Sequence, residues 1–266
     1  MKQNNLMYYL RIYFKIVKQD IKSKMSYKMD FIISLFGILI TNVAGFISFW
    51  IIFKNFPKVG NWSYYQMLFF YGFSLASMTP VQCLFDNNWN LRMNVFTGDF
   101  IKYCFRPINL FFYYMSEVFD VKGIGQLCCG IVFICISWQK LNIQFGFFTL
   151  LFLILMIISA SFFMIGLMNI AAASCFYLLN SGYVMVTMFK FADYIRYPIN
   201  IYNKMVRFIF TIIIPIGFSS YYPSLLFLIK DPPVLSYFTP LFGILFFILS
   251  YKIWIKGATS YSGTGS

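Results

Sequence analysis

The sequence predicts an all-α integral membrane protein with six transmembrane helices, and three observations carry that reading. Hydrophobic residues make up 60% of the 266 residues, against somewhat under about half in a soluble domain. Charged residues make up 11%, where about a quarter is ordinary. Several uncharged runs exceed the ~20 residues that carry a helix across ~30 Å of hydrocarbon. A water-soluble core of this size cannot hide so much apolar surface. A soluble enzyme, a disordered chain and a disulfide-stapled secreted module are therefore excluded.

Residues 7–26 open the chain as an amphipathic helix. Leu10, Phe14, Val17, Ile21 and Met25 form one stripe and Arg11, Lys15, Lys18 and Lys22 a neighbouring one, the pattern of a helix lying in the headgroup layer of a membrane. A helix docked on a protein partner would show the same stripes. The stretch has neither the short apolar core nor the small-residue cleavage site of a secretory signal. Spans follow at 31–53, 62–85 and 121–138, the last extended by a snorkelling Lys122. In the first span Gly37, Ala44 and Gly45 would allow close helix packing. The 49 residues of Leu141–Phe189 carry no charge and are too long for one crossing, so Asn180-Ser181-Gly182 is taken as a helix stop. This makes 145–174 the fourth span and leaves the remainder along the cytosolic side. The fifth span is expected over 204–222, interrupted by Pro215 and Gly217, and the sixth over 234–253 with Trp254 as an interfacial anchor.

The net charge is +13, with 21 Lys and Arg against eight Asp and Glu. In a membrane protein such an excess reads as the positive-inside signal and not as nucleic-acid binding. Six spans with both termini cytosolic leave only Lys54, Lys58, Lys140 and Lys230 outside. Treating 171–189 as a seventh crossing would flip everything after it and degrade the asymmetry. Histidine is absent, which closes off His catalysis, His-ligated metals and His proton relays. The six cysteines show no CxxC spacing and read as small apolar residues. The expected spans hold no central carboxylate of the kind an ion-coupled transporter or intramembrane protease needs. There is no G-x-x-x-x-G-K-[ST] phosphate cradle. No catalytic, cofactor-binding or metal-binding residue is therefore assigned to this chain. Mild polar residues in the spans, Asn42, Ser74, Gln82 and Asn169 among them, read as interhelical hydrogen bonding or as a weakly polar lining.

Two stretches between spans keep aromatic and apolar residues beside charges, 87–109 and 189–207. The first contains TGDFIKYCFRPIN (97–109), which resembles the G-D…R-P-[IVL]-[NS] segment of type-2 ATP-binding-cassette exporter permeases, in particular the small bacterial six-span branch. The second leads into YPINIYNKMVRFIFTIIIPIGFSSYYPSLLFL (197–228), similar to that branch's Y-P-x-x-I-Y, I-P-x-x-F and Y-P-x-x-L segments. The ending YSGTGS (261–266) resembles its short polar terminus.

The resemblance covers the whole chain, 1–266, as a single permease domain. It implies an N-terminal elbow helix, a re-entrant helical segment before the last span, and a cytosolic coupling region at 87–109 that wedges into a separate ATPase. Trp89, Arg92, Asp99 and Arg106 are the candidate coupling residues. ATP and Mg would be bound by that partner, not by this chain. A second copy or a related permease would complete a homo- or heterodimer in a bacterial plasma membrane, surrounded by lipid. The implied activity is export of an amphiphilic or hydrophobic peptide, drug or lipid. An immunity or sensing protein that binds a toxic peptide without moving it, and a membrane enzyme acting on lipid, are the alternatives.

Overall fold

A computed structural model describes residues 6–178 and 181–261, and the regular elements among them are all helical. Lys2, Asn180 and all of the polar ending except Tyr261 lie outside the described residues. In chain order, α1 spans Leu6–Ser26, α2 Lys28–Asn55 and α3 Tyr64–Leu84. Three short helices follow, α4 (Asn88–Phe96), α5 (Ile101–Cys104) and α6 (Leu110–Ser116). Next come α7 (Lys122–Lys140), α8 (Phe147–Ala173), α9 (Gly182–Ala192) and α10 (Lys204–Phe208). The chain closes with α11 (Tyr221–Leu228), α12 (Val234–Tyr237) and α13 (Thr239–Thr259). Five of these, α2, α3, α7, α8 and α13, are helices long and apolar enough to cross a membrane.

The bundle is built around α3, whose residues are buried almost throughout. Ser63 and Gln66 start it with a capping box, the Ser63 amide donating to Gln66 Oε1 at 2.9 Å, which satisfies donors that a helix start leaves orphaned. Helix α7 reaches α3 closely because Gly72 and Gly130 face each other. A Cβ on Gly72 would lie 2.8 Å from the Gly130 carbonyl oxygen, and one on Gly130 2.9 Å from that of Gly72. Of the small residues expected to pack in α2, only Gly45 does, against the Tyr71 hydroxyl. Gly37 has nothing within 4 Å. Helix α2 is peripheral, with only Asn42 and Phe49 buried.

Helix α1 packs one edge on α6, with Tyr9 against Phe112 at 4.9 Å between ring centroids. Its apolar stripe stays largely uncovered, since Leu10, Phe14 and Met25 are all exposed and only Val17 is buried. Asp20 and Lys24 then clamp the backbone of one residue before α7: the Phe119 amide donates to Asp20 Oδ2 at 2.9 Å, and Lys24 Nζ donates to the Phe119 carbonyl at 2.8 Å. Helices α1 and α4–α6 thus share one end of the bundle, called here the elbow end.

The stretch expected as a single fifth span is not one helix. Residues 204–208 are α-helical and 209–213 form a π-helical turn. Ile214 leaves the helical region, at φ −122° and ψ 81°, before Pro215, and a short 3-10 turn over Ile216–Ser219 precedes α11. Proline has no N–H to donate and pushes the residue before it out of the helical region, which ends the helix there. These pieces stay in the half of the bundle away from the elbow. Phe210 meets Phe191 and Tyr202, Ser220 Oγ donates to the Phe70 carbonyl, and Phe227 lies against Trp138 and Phe152.

What runs the length of the bundle is instead the segment 182–201, expected along one side. Gly182 lies beside Arg92 and Phe189 against Trp89, at the elbow end. Tyr197 meets Phe49, and Asn200 accepts from Trp62 Nε1 at 2.7 Å, at the far end. The path is α9, then a 3-10 turn over Asp193–Arg196, then an extended Tyr197 forced by Pro198. Asp193 and Arg196 consequently come to lie beside the middle of α3, where the guanidinium sits 5.7 Å above the Tyr71 ring. Neither residue belongs to an expected span; the fold of 189–201 brings a charged pair beside α3 that no span contributes.

Candidate functional site

The four coupling candidates all lie at the elbow end, but in two groups. Trp89 and Arg92 are on α4. The Trp89 ring stands edge-on to Phe189 at 5.2 Å, and Arg92 packs along Gly182, so both touch α9. They line a cavity of about 330 Å³ between α4, α8 and α9. Asp99 and Arg106 sit further along. Gly98 has φ +85°, a conformation open to glycine at no steric cost, and makes the turn after which Asp99 accepts from Thr97 Oγ1 at 2.8 Å. Arg106 is exposed and lies over the Tyr113 ring at 5.8 Å.

Asparagine amides and an aromatic hub hold this module rigid. Asn87 Nδ2 donates to the Tyr114 carbonyl at 2.7 Å, the Tyr114 hydroxyl returns a bond to the Asn87 carbonyl, and Asn88 Nδ2 donates to Asn169 Oδ1 of α8 at 2.7 Å. Beneath them Phe100, Tyr103, Tyr114 and Trp254 are fully buried and mutually packed. Trp254, expected at a membrane interface, is the centre of this hub, joining α13 to α4–α6. The Tyr103 hydroxyl donates to Glu117, and burial together with that carboxylate raises its pKa.

The module's outer surface is apolar and basic. Met93 is 60% exposed, Phe96 74% and Phe105 80%, with Arg92, Lys102 and Arg106 among them. Large exposed apolar side chains ringed by charge mark a protein-binding surface. Phe96 and Phe105 were not singled out from sequence. The signal for them was their place within the recognised 87–109 stretch, on either side of the buried Phe100.

A second charged cluster lies where α1, α3 and α7 meet. Asp86, just past α3, shares a cavity with Lys24, Asp30, Asp120 and Lys122. Burial, then repulsion from Asp120, pushes the Asp86 carboxyl up to about 6, while Lys24 and Lys122 pull it back. Because the folded value exceeds the unfolded one, folding is favoured at low pH, and that contribution is lost as pH rises through 6. Asp86→Asn is therefore expected to stabilise the detergent-solubilised chain near neutral pH by about 1–2 kcal/mol, after allowing for solvent screening. Thermal unfolding should lose its slope between about pH 4 and 6 in the variant. An unaltered slope would remove Asp86 as its source.

Long apolar helices around a buried α3, with an amphipathic helix and an exposed apolar and basic face at one end, define a polytopic membrane protein. Residues 39–265 match the family model described as ABC-2 family transporter protein, and the chain belongs to that family. Membership makes it a membrane permease component of a generally non-catalytic kind and implies partnership with an ATP-binding-cassette ATPase. The chain matches no curated protein and no solved structure.

Proposed function

We propose that this chain is the permease subunit of an ATP-driven exporter that moves an amphiphilic or hydrophobic substrate out of the cytoplasm of a bacterium. The observation that carries the reading is the exposed apolar and basic face of α4–α5, braced through Trp254 against α13 and through Asn88 and Asn169 against α8. A push on that face would pass into the long helices without being absorbed by a flexible loop. The ATPase partner, which itself binds ATP and Mg, docks there, with Phe96, Phe105 and Arg106 as its main contacts and Trp89, Arg92 and Asp99 at the edge.

In this reading the elbow end is cytosolic and the crossings are α2, α3, α7, α8, 182–201 and α13, six in all, with 204–228 re-entrant from the outside. The uncovered stripe of α1 would lie on lipid, with its lysines at anionic headgroups. Arg11, Lys15, Lys18, Lys22, Arg92, Lys102, Arg106, Lys252 and Lys256 would all face the cytosol, which keeps the positive-inside asymmetry although Lys204 and Arg207 move outside. The peripheral α2, with Phe36, Ile40 and Trp50 exposed, offers the surface for a second permease copy or a related one.

Purification in mild detergent should bring down an ATPase subunit, and inside-out vesicles holding both should accumulate substrate only with ATP. Transport without ATP would reject the scheme, and substrate binding without turnover would favour a sensing or immunity role.

A further inference from the structure

The broken segment 189–196 faces α2 and α3 across a groove of about 260 Å³ whose lining includes Asn42, Ser74, Gln82, Gln126, Asp193 and Arg196. The pair in it is local. Arg196 Nη2 donates to Asp193 Oδ1 at 2.6 Å and Nε to the Asp193 carbonyl at 2.8 Å, so the bridge joins no two elements. The other Asp193 carboxylate oxygen and Arg196 Nη1 have no hydrogen-bond partner among the described residues, and the Asp193 side chain is 63% exposed. Two further groups in the groove stand unpaired. Asn42, 5% exposed, has no partner for Nδ2, beside the Cys129 thiol, and Gln82 has none for its buried Oε1. The Asp193–Arg196 wall thus presents an open acceptor and an open donor to the groove, while Asn42 Nδ2 and Gln82 Oε1 lie shielded behind the opposite wall.

A charged side chain at this depth is costly unless it is paired, and it marks a functional position by default. The Asp193–Arg196 pair has no net charge, so it exerts little net pull on a ligand of one sign. Such a ligand would also bring an uncompensated charge into a groove whose lining holds no other charged side chain. A ligand carrying both signs brings no net charge, its oxyanion meeting the open Nη1 of the guanidinium and its ammonium the open oxygen of the carboxylate. The groove is the size of a headgroup and not of a whole amphiphile, and it is flanked by exposed Thr41 on the apolar surface of α2, where a tail would lie.

We propose that this groove binds the zwitterionic end of an amphiphile, an ammonium and an oxyanion on one small headgroup. This names the substrate class of the permease reading and depends on it for transport, but not for binding. The test uses the full chain without any ATPase, in a nonionic maltoside detergent. It is titrated with three twelve-carbon amphiphiles, dodecylphosphocholine, dodecyltrimethylammonium and dodecyl phosphate. A second arm uses tri-leucine with both ends free, N-acetylated or C-amidated, which separates a peptide source from a lipid one.

The zwitterion should bind at least about ten-fold tighter than either single charge. Arg196→Gln should turn the preference to the cation and Asp193→Asn to the anion, a reversal that a purely structural pair would not produce. If either variant fails to fold, the order of the three headgroups on the unaltered chain decides alone. Equal affinities there, no binding of any probe, or one unchanged order in both variants would overturn the assignment. Loss of ATP-driven transport with the headgroup order intact would count against the permease reading and leave this site standing.

Discussion

Replacing Gly130 by valine is expected to destroy the packing of α7 on α3 and leave a chain that inserts but does not purify as one folded species. A Cβ at Gly130 would meet the Gly72 carbonyl at 2.9 Å and the Ala76 amide nitrogen at 3.1 Å, and the facing Gly72 is hemmed in by the Gly130 carbonyl and the Ile134 nitrogen. These obstacles are backbone atoms in the middle of helices and cannot rotate aside as a side chain can. The two helices would have to separate, pulling apart the contact that Gln126 Nε2 makes with the Leu75 carbonyl at 3.2 Å and loosening the cluster of Phe69, Phe73, Ile134 and Trp138. Overpacking of a core costs about 1–3 kcal/mol where side chains can shift. With backbone on both sides the cost should reach about 3 kcal/mol or more. Gly37→Val is the control, because no atom lies within 4 Å of a Cβ there. Size-exclusion profiles and melting curves of the two variants should diverge sharply. Equal behaviour would mean that the Gly72–Gly130 approach is not part of the folded membrane state.

The second large effect is functional. Phe96→Asp combined with Arg106→Glu should abolish ATP-driven transport and capture of the ATPase while leaving the melting curve of the isolated chain nearly unchanged. Phe96 is 74% exposed. Arg106 has the Tyr113 ring as a cation–π neighbour, an exposed contact worth about 0.5–1 kcal/mol. Little of the chain's own stability therefore depends on either side chain. At a protein interface, aromatic and Arg anchors each contribute about 2 kcal/mol or more, so losing both should weaken ATPase capture by well over about a hundred-fold. Arg92 is a poorer probe, since it packs on Gly182 and its loss would disturb α9 as well. Full transport by the double variant, or its disappearance from the membrane, would refute this surface as the coupling contact.

The candidate surface was visible in sequence through the 97–109 stretch, yet the division of labour within it was not. Phe100, Tyr103, Phe96 and Phe105 look alike as a string of aromatics. Only contacts with nearby Tyr114 and with Trp254, far along the chain, bury the first pair and leave the other two exposed. The groove was hidden for a different reason. Asp193 and Arg196 lower the local hydropathy and Pro198 breaks the helix, so 189–207 looked like a solvated connection. The aromatic 204–222, charged only at Lys204 and Arg207, looked like the better span.

Composition and run length were sufficient for an all-helical, bilayer-seeking chain led by an amphipathic helix. That much is local, because in hydrocarbon each backbone N–H and C=O must find its partner within its own segment. Which stretch travels from one end of the bundle to the other, which glycines touch, and where the charged pair comes to rest depend on partners far apart in sequence. Trp62 and Asn200, joined across 138 positions, draw 182–201 along α3, and no pattern within either stretch specifies the other.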